Sequence, residues 1–202
     1  MMPDPVRIEM NETPESDLQH ESPPRRRWGV VLVWVVVLGL LAILGVGLIR
    51  TQEGHIQVGD EVPADLVFHG FEGEQIPFAE FRGQVVLVNF WASWCKPCEQ
   101  EAAELEQAYQ IYHDRGVVFL GVNYVDTERE AKAYLKKFGI TYPNGPDLGT
   151  SISQVFRVRG VPETYILGPD GRLKAFKIGP YTSLSEITEQ LEGVLAAEAA
   201  GS

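Results

Sequence analysis

The chain has 202 residues, 28 acidic against 17 basic side chains and a formal net charge of −11. That length suits one globular domain plus an appendage, and the acidic balance argues against nucleic acid as a partner. Two cysteines and four scattered histidines (His20, His55, His69, His113) do not supply the four Cys or His ligands of a structural zinc site, so no metal is expected.

Residues 1–27 carry Pro3, Pro5, Pro14, Pro23 and Pro24 among acidic and polar residues, and read as a disordered tail. From Trp28 to Ile49 no charge occurs, and at 1.5 Å per residue the run reaches roughly 33 Å, enough to cross a bilayer core. It is longer than a usual signal-peptide core, and no Ala-x-Ala cleavage site precedes Arg50. Arg25, Arg26 and Arg27 before the span, against Arg50 after it, orient the N-terminus toward the cytoplasm. The expected division is therefore a cytoplasmic tail (1–27), a transmembrane helix (28–49), a linker (50–57) and a folded domain (58–198) outside the cytoplasmic face.

Within that domain, Leu66-Val67-Phe68 and Gln75-Ile76-Pro77-Phe78 flank a glycine-containing loop and read as a β-hairpin. Val85–Phe90 is an apolar, β-branched run with the character of a buried strand, and Glu99–His113 reads as a helix. Val117–Asn123 is a second buried strand. Thr127-Glu128-Arg129-Glu130 is a capping box opening a helix that Gly139 stops near Phe138. Ile152–Val158 suggests a short helix, whereas Ile140–Pro143 gives no clear signal. Thr164–Leu167 and Leu173–Ile178 form a second hairpin around Gly168-Pro169-Asp170-Gly171, and Ser183 opens a final helix to about Ala197. The order implies an α/β domain with parallel strands, an antiparallel edge and helices over both faces of the sheet.

Both cysteines fall in Trp94-Cys95-Lys96-Pro97-Cys98, where the first buried strand gives way to a helix. The unpaired N–H groups of a helix start favour a thiolate on the first cysteine, and thiolates attack disulfides. A Cys-x-x-Cys turn also lets the two sulfurs bond to each other, which points to a redox-active dithiol. A purely structural disulfide closing so short a loop would add little stability, and a structural zinc site lacks further ligands.

This motif, followed by Gly160-Val161-Pro162-Glu163-Thr164 ahead of a strand, resembles the thioredoxin superfamily. The apolar span, the leading hairpin and the long stretch between motif and proline narrow the likeness to anchored thiol-disulfide oxidoreductases of the ResA, TlpA and CcmG type, over residues 57 to 195. The resemblance implies a thioredoxin-like fold with an N-terminal β-hairpin and a central insertion within 123–151, able to shape a groove beside the sulfurs. It makes Cys95 the exposed nucleophile and Cys98 the buried resolving thiol. Trp94 is then the aromatic shield, and Val161, Pro162 (in a cis-proline loop) and Glu163 bind substrate. Glu101, three residues past Cys98, matches an acidic residue that moves protons at the thiols, while Glu99, Glu104 and Glu106 are expected to be solvated. Protein disulfides are the implied substrates, apocytochrome c foremost, with a membrane dithiol as electron donor and no cofactor. A general envelope reductase or oxidase and a non-catalytic copper chaperone are the competing readings.

Overall fold

The computed structural model describes residues 25–51 and 56–201. The predicted tail falls outside these except for Arg25–Arg27, and the predicted linker except for its ends. Two units are distinct, one up to Glu53 and one from Gly54 onward.

The first unit is α1 (Arg25–Thr51), a single helix. Its side chains from Trp28 to Leu44 are exposed although almost all are apolar, as suits a solvent of lipid rather than water. The helix is long and apolar enough to cross a membrane, and its place near the N-terminus fits a signal anchor.

The second unit is built on a five-stranded sheet of β3 (Val85–Trp91), β4 (Val117–Asn123), β5 (Asn144–Pro146), β6 (Glu163–Leu167) and β7 (Leu173–Ile178), in the order β5-β4-β3-β6-β7. Strands β3, β4 and β5 run parallel, while β6 is antiparallel to both β3 and β7. Ahead of it, β1 (Val67–His69) and β2 (Gln75–Pro77) make the expected hairpin. The helices are α2 (Lys96–Tyr112), α3 (Glu128–Phe138), the short α4 (Ser151–Val155) and α5 (Leu184–Gly201).

β3 is buried at every position, so its alternate side chains serve two cores. Val85 and Leu87 meet Leu105 and Tyr112 of α2 and Ile187 and Leu191 of α5. Val86, Val88 and Phe90 face the other way, against Phe68, Phe78 and Phe156. That second face is covered by the hairpin, the incoming segment at Ile56 and Val62 and the short α4, and not by full helices as expected. The aromatic rings of Phe68 in the hairpin, Phe78 just after it and Phe156 just after α4 fill this core.

Helix boundaries follow local chemistry. Thr127 Oγ1 accepts the Glu130 N–H at 3.4 Å, and Gly139 closes α3 in the left-handed region (φ 66°), which a residue without Cβ adopts freely. α2 begins three residues before the predicted start because Cys95 itself is the N-cap, which leaves Pro97 in the first turn. α5 runs four residues past its predicted end. β5 had no sequence signal.

Candidate active site

Because β3 and β4 are parallel and β6 runs against them, the segments after β3 and β4 and the segment before β6 all emerge at one end of the sheet. Cys95 and Cys98 follow β3 and form a disulfide, with Cα atoms 5.3 Å apart. Cys95 Sγ also accepts the Cys98 N–H at 3.1 Å, so the helix start offers its free donor to the first sulfur. The expected exposure of Cys95 is not found: it is 3% exposed in the disulfide form and Cys98 1%. The reason is packing. Both sulfurs sit in an apolar cluster with Trp91, Ala102, Ala131 and Tyr134, flanked by Phe71 and Val161.

The Val161–Pro162 peptide bond is cis. Val161 packs against the cysteine cluster, so the structure brings the proline loop and the disulfide together. Trp94 is 58% exposed, and its indole Nε1 donates to the Val125 carbonyl at 3.0 Å.

Glu101 lies on the same buried stripe of α2 as Cys98, Ala102 and Leu105, and is 1% exposed. Its Oε1 accepts from Asn89 Nδ2 and its Oε2 from the Tyr181 N–H, both at 2.9 Å. Asn89 Nδ2 also donates to Thr164 Oγ1 at 2.9 Å, which joins β3, β6 and α2 through one amide. Burial pushes the Glu101 carboxyl up to about 7, against the opposing pull of the Tyr181 and Asn89 donors and of Lys177. A carboxyl poised there can both hold and release a proton near neutral pH.

Glu163, expected to face substrate, turns inward and is 2% exposed. Its Oε1 accepts from the N–H groups of Arg159 and Gly160 at 3.2 Å, and its Oε2 from the Tyr165 hydroxyl at 2.6 Å. The strand it opens is buried on both faces, so no outward position exists there. Of the glutamates expected to be solvated, Glu106 instead accepts from Thr141 N and Oγ1 at 2.8 and 2.6 Å, tying α2 to the segment before β5. One oxygen of Glu104 is buried without a hydrogen-bond partner, and Glu99 is paired with Lys96.

Asp126, which the sequence did not single out, follows β4 and reaches across to the cysteine turn. Its carboxylate accepts from Ser93 N (2.6 Å), Ser93 Oγ (2.9 Å), Asn123 Nδ2 (3.0 Å) and Thr127 N (2.7 Å). Burial opposes its charge, but these donors outweigh it and hold the carboxyl below its ordinary value. Where the central insertion was expected to shape a groove, a cleft of about 440 Å³ lies between Phe71, Lys132, Leu135 and Asn144. Phe71 and Leu135 also pack against the cysteine cluster, so cleft and disulfide share walls.

Residues 58–176 match the model of the AhpC/TSA family. The chain belongs to the AhpC/TSA family. Within it, the chain is 30% identical over 173 residues to the thiol-disulfide oxidoreductase ResA of Geobacillus thermodenitrificans, covering 84% of this chain and 98% of that protein. It is 33% identical over 140 residues to ResA of Bacillus cereus, covering 69% and 78%. A thioredoxin-family thiol:disulfide interchange protein of Chlorobium tepidum has the same fold, with a TM-score of 0.60 at 24% identity over 69% of this chain and 99% of that one. StoA of Bacillus subtilis aligns with a TM-score of 0.56 at 26% identity, covering 64% and 99%. This member of the family is thus a ResA-like thiol-disulfide oxidoreductase whose cysteine pair is Cys95–Cys98.

Proposed function

We propose that the protein reduces protein disulfides outside the cytoplasmic membrane, and in particular the Cys-x-x-Cys-His pair of apocytochrome c before haem attachment. The observation that carries this reading is the buried Cys95–Cys98 pair at the start of α2, with a protonatable Glu101 on the same helix stripe. The likeness to ResA proteins supports the reaction class, and the apocytochrome substrate rests on the resemblance to that group.

In this scheme the reduced Cys95 thiolate, steadied by the Cys98 N–H, attacks one sulfur of the substrate disulfide. The substrate S–S bond breaks, a mixed disulfide forms, and the first substrate sulfur leaves as a thiolate. Cys98 then passes its proton to the Glu101 carboxylate and attacks Cys95 Sγ. The second substrate thiolate departs, protons return to it, and two electrons have moved from the protein dithiol to the substrate. A membrane protein with its own dithiol restores Cys95 and Cys98. Val161 and Pro162 line the approach to Cys95, Trp94 covers it from the β4 side, and Glu163 braces the proline loop from behind.

The same reading has 1–27 as a cytoplasmic tail, 28–49 as the membrane span, 50–57 as a linker and 58–198 as the working domain, oriented by Arg25–Arg27. The test is a trap. A Cys98→Ser variant in the native host should accumulate an apocytochrome c joined to Cys95 through a reducible bond. Capture of unrelated envelope proteins without any apocytochrome would replace this reading with a general reductase, and retained copper without any captured protein would replace it with metal delivery.

A further inference from the structure

The residues before Cys95 are held by a neighbour that the reaction scheme does not use. In the oxidised protein the S–S bond fixes Cys95 to α2. Once that bond opens, Cys95 keeps its seat through the Cys98 N–H on its sulfur, its own N–H on the Ala92 carbonyl at 3.1 Å, and whatever fixes the Ala92–Trp94 turn. Ser93 is the middle of that turn, and both its N–H and its hydroxyl donate to Asp126. Asp126 is in turn fixed by Asn123 at the end of β4 and by Thr127 at the start of α3. One residue back, Val125 takes φ 43°, which a β-branched side chain seldom adopts, and its carbonyl receives the Trp94 indole N–H.

We propose that Asp126 is a positioning residue for thiol-disulfide exchange: its carboxylate ties the Ser93 turn to the β4–α3 corner and keeps Cys95 at the N-cap of α2 when the disulfide is open. Four neutral donors converge on one group that, ionised, accepts only. An asparagine in its place has one acceptor oxygen and an NH₂ that would meet donors with donors. The inference concerns the established disulfide chemistry and does not depend on which protein is reduced.

Asp126 acts on the Cys95 thiolate in two opposed ways. As a nearby negative charge it disfavours the thiolate, whereas as a clamp it keeps the Cys98 N–H aimed at the sulfur and favours it. The other charged groups on the elements meeting there are Lys96, Glu99, buried Glu101, Glu104 and Glu106 on α2 and Glu128, Arg129, Glu130, Lys132, Lys136 and Lys137 on α3. Lys96 and Lys137 are both engaged with Glu99, and none of these groups bonds to Asp126.

The direction of one measurement separates the two effects. Full-length protein in detergent is reduced, and the alkylation rate of Cys95 is followed against pH by peptide mapping. If Asp126 positions the turn, Asp126→Asn moves the midpoint upward by about one pH unit and slows the reaction at neutral pH about tenfold. Ser93→Ala, which removes one donor of the four, shifts it the same way by less. A downward shift in Asp126→Asn would show that charge alone matters, and superimposable curves would show no role; either overturns the proposal. Should Asp126→Asn fail to fold by circular dichroism, Ser93→Ala decides, and an unchanged profile there is equally fatal.

Discussion

Replacing Glu101 with Gln keeps the shape and removes the charge. An ordinary glutamate titrates near 4.5 and burial pushes this one up to about 7, a difference of roughly 3 kcal/mol in favour of the neutral form. Between those two values the unfolded chain has lost the proton and the folded chain still holds it. Stability is therefore fully present below about pH 4.5 and is lost as pH rises toward 7, by roughly 3 kcal/mol in all. A glutamine has no such slope. It carries a fixed cost instead, since one amide oxygen must serve where two carboxylate oxygens accept from Asn89 and Tyr181, about 1–3 kcal/mol at every pH. Urea unfolding of the oxidised soluble fragment from Gly54 onward, measured for both forms from pH 4.5 to 8, should show a stability difference that changes by roughly 3 kcal/mol across the window. Taking the difference cancels every other titrating group. A difference that stays constant with pH would mean that the Glu101 carboxyl titrates like any surface glutamate, and its part in proton transfer would fall with it.

Three further outcomes are expected. Carbonate-washed membranes should retain the full chain through Trp28–Gly45 while the fragment from Gly54 stays soluble; a native N-terminus found just after Arg50 would refute the anchor. Limiting alkylating reagent should label Cys95 of the reduced protein before Cys98, since Cys95 holds the N-cap and Cys98 lies under the first turn; the reverse order would contradict the assignment. Glu163→Ala leaves the Tyr165 hydroxyl without the carboxylate it donates to and releases the Arg159 and Gly160 N–H groups, so thermal unfolding should show a loss of about 1–3 kcal/mol. A variant as stable as the parent would mean that the loop is held without this carboxylate.

Most of the fold could be read from the chain because local pattern and final packing agree. Val117–Asn123 and Leu173–Ile178 are strands at their predicted bounds, and Thr127 and Gly139 delimit α3 as their chemistry dictates. β5 escaped because Asn144-Gly145-Pro146 has no apolar period; it exists through tertiary bonds, such as the Phe71 N–H on the Asn144 carbonyl. The burial of Glu101 was legible, since it falls on the stripe of Cys98, Ala102, Leu105 and Ala108. That of Glu163 was not: the resemblance made it a substrate contact, and only the packing of β6, buried at every position, turns it inward. Asp126 had no such signal. Its partner Ser93 lies 33 residues earlier, and only the parallel pairing of β3 with β4 sets them side by side.

The two flanks of the sheet bear on the company this protein keeps. Beside β5 the hairpin comes so near that a Cβ on Gly145 would sit 1.7 Å from the His69 carbonyl oxygen, and that side is closed. Beside β7, Leu173 accepts from the Gly59 N–H and donates to the Asp60 carbonyl, the Gly171 carbonyl accepts from the Val62 N–H, and the strand beyond carries Lys174 and Lys177. An open strand margin would recruit any extended chain by main-chain pairing, whatever its side chains, and lead to aggregation. An enzyme that acts on disulfide-containing proteins needs to release them. With both margins occupied or charged, main-chain pairing along the sheet is disfavoured there, and the open approach to the sulfurs is at the end of the sheet where the cysteines lie.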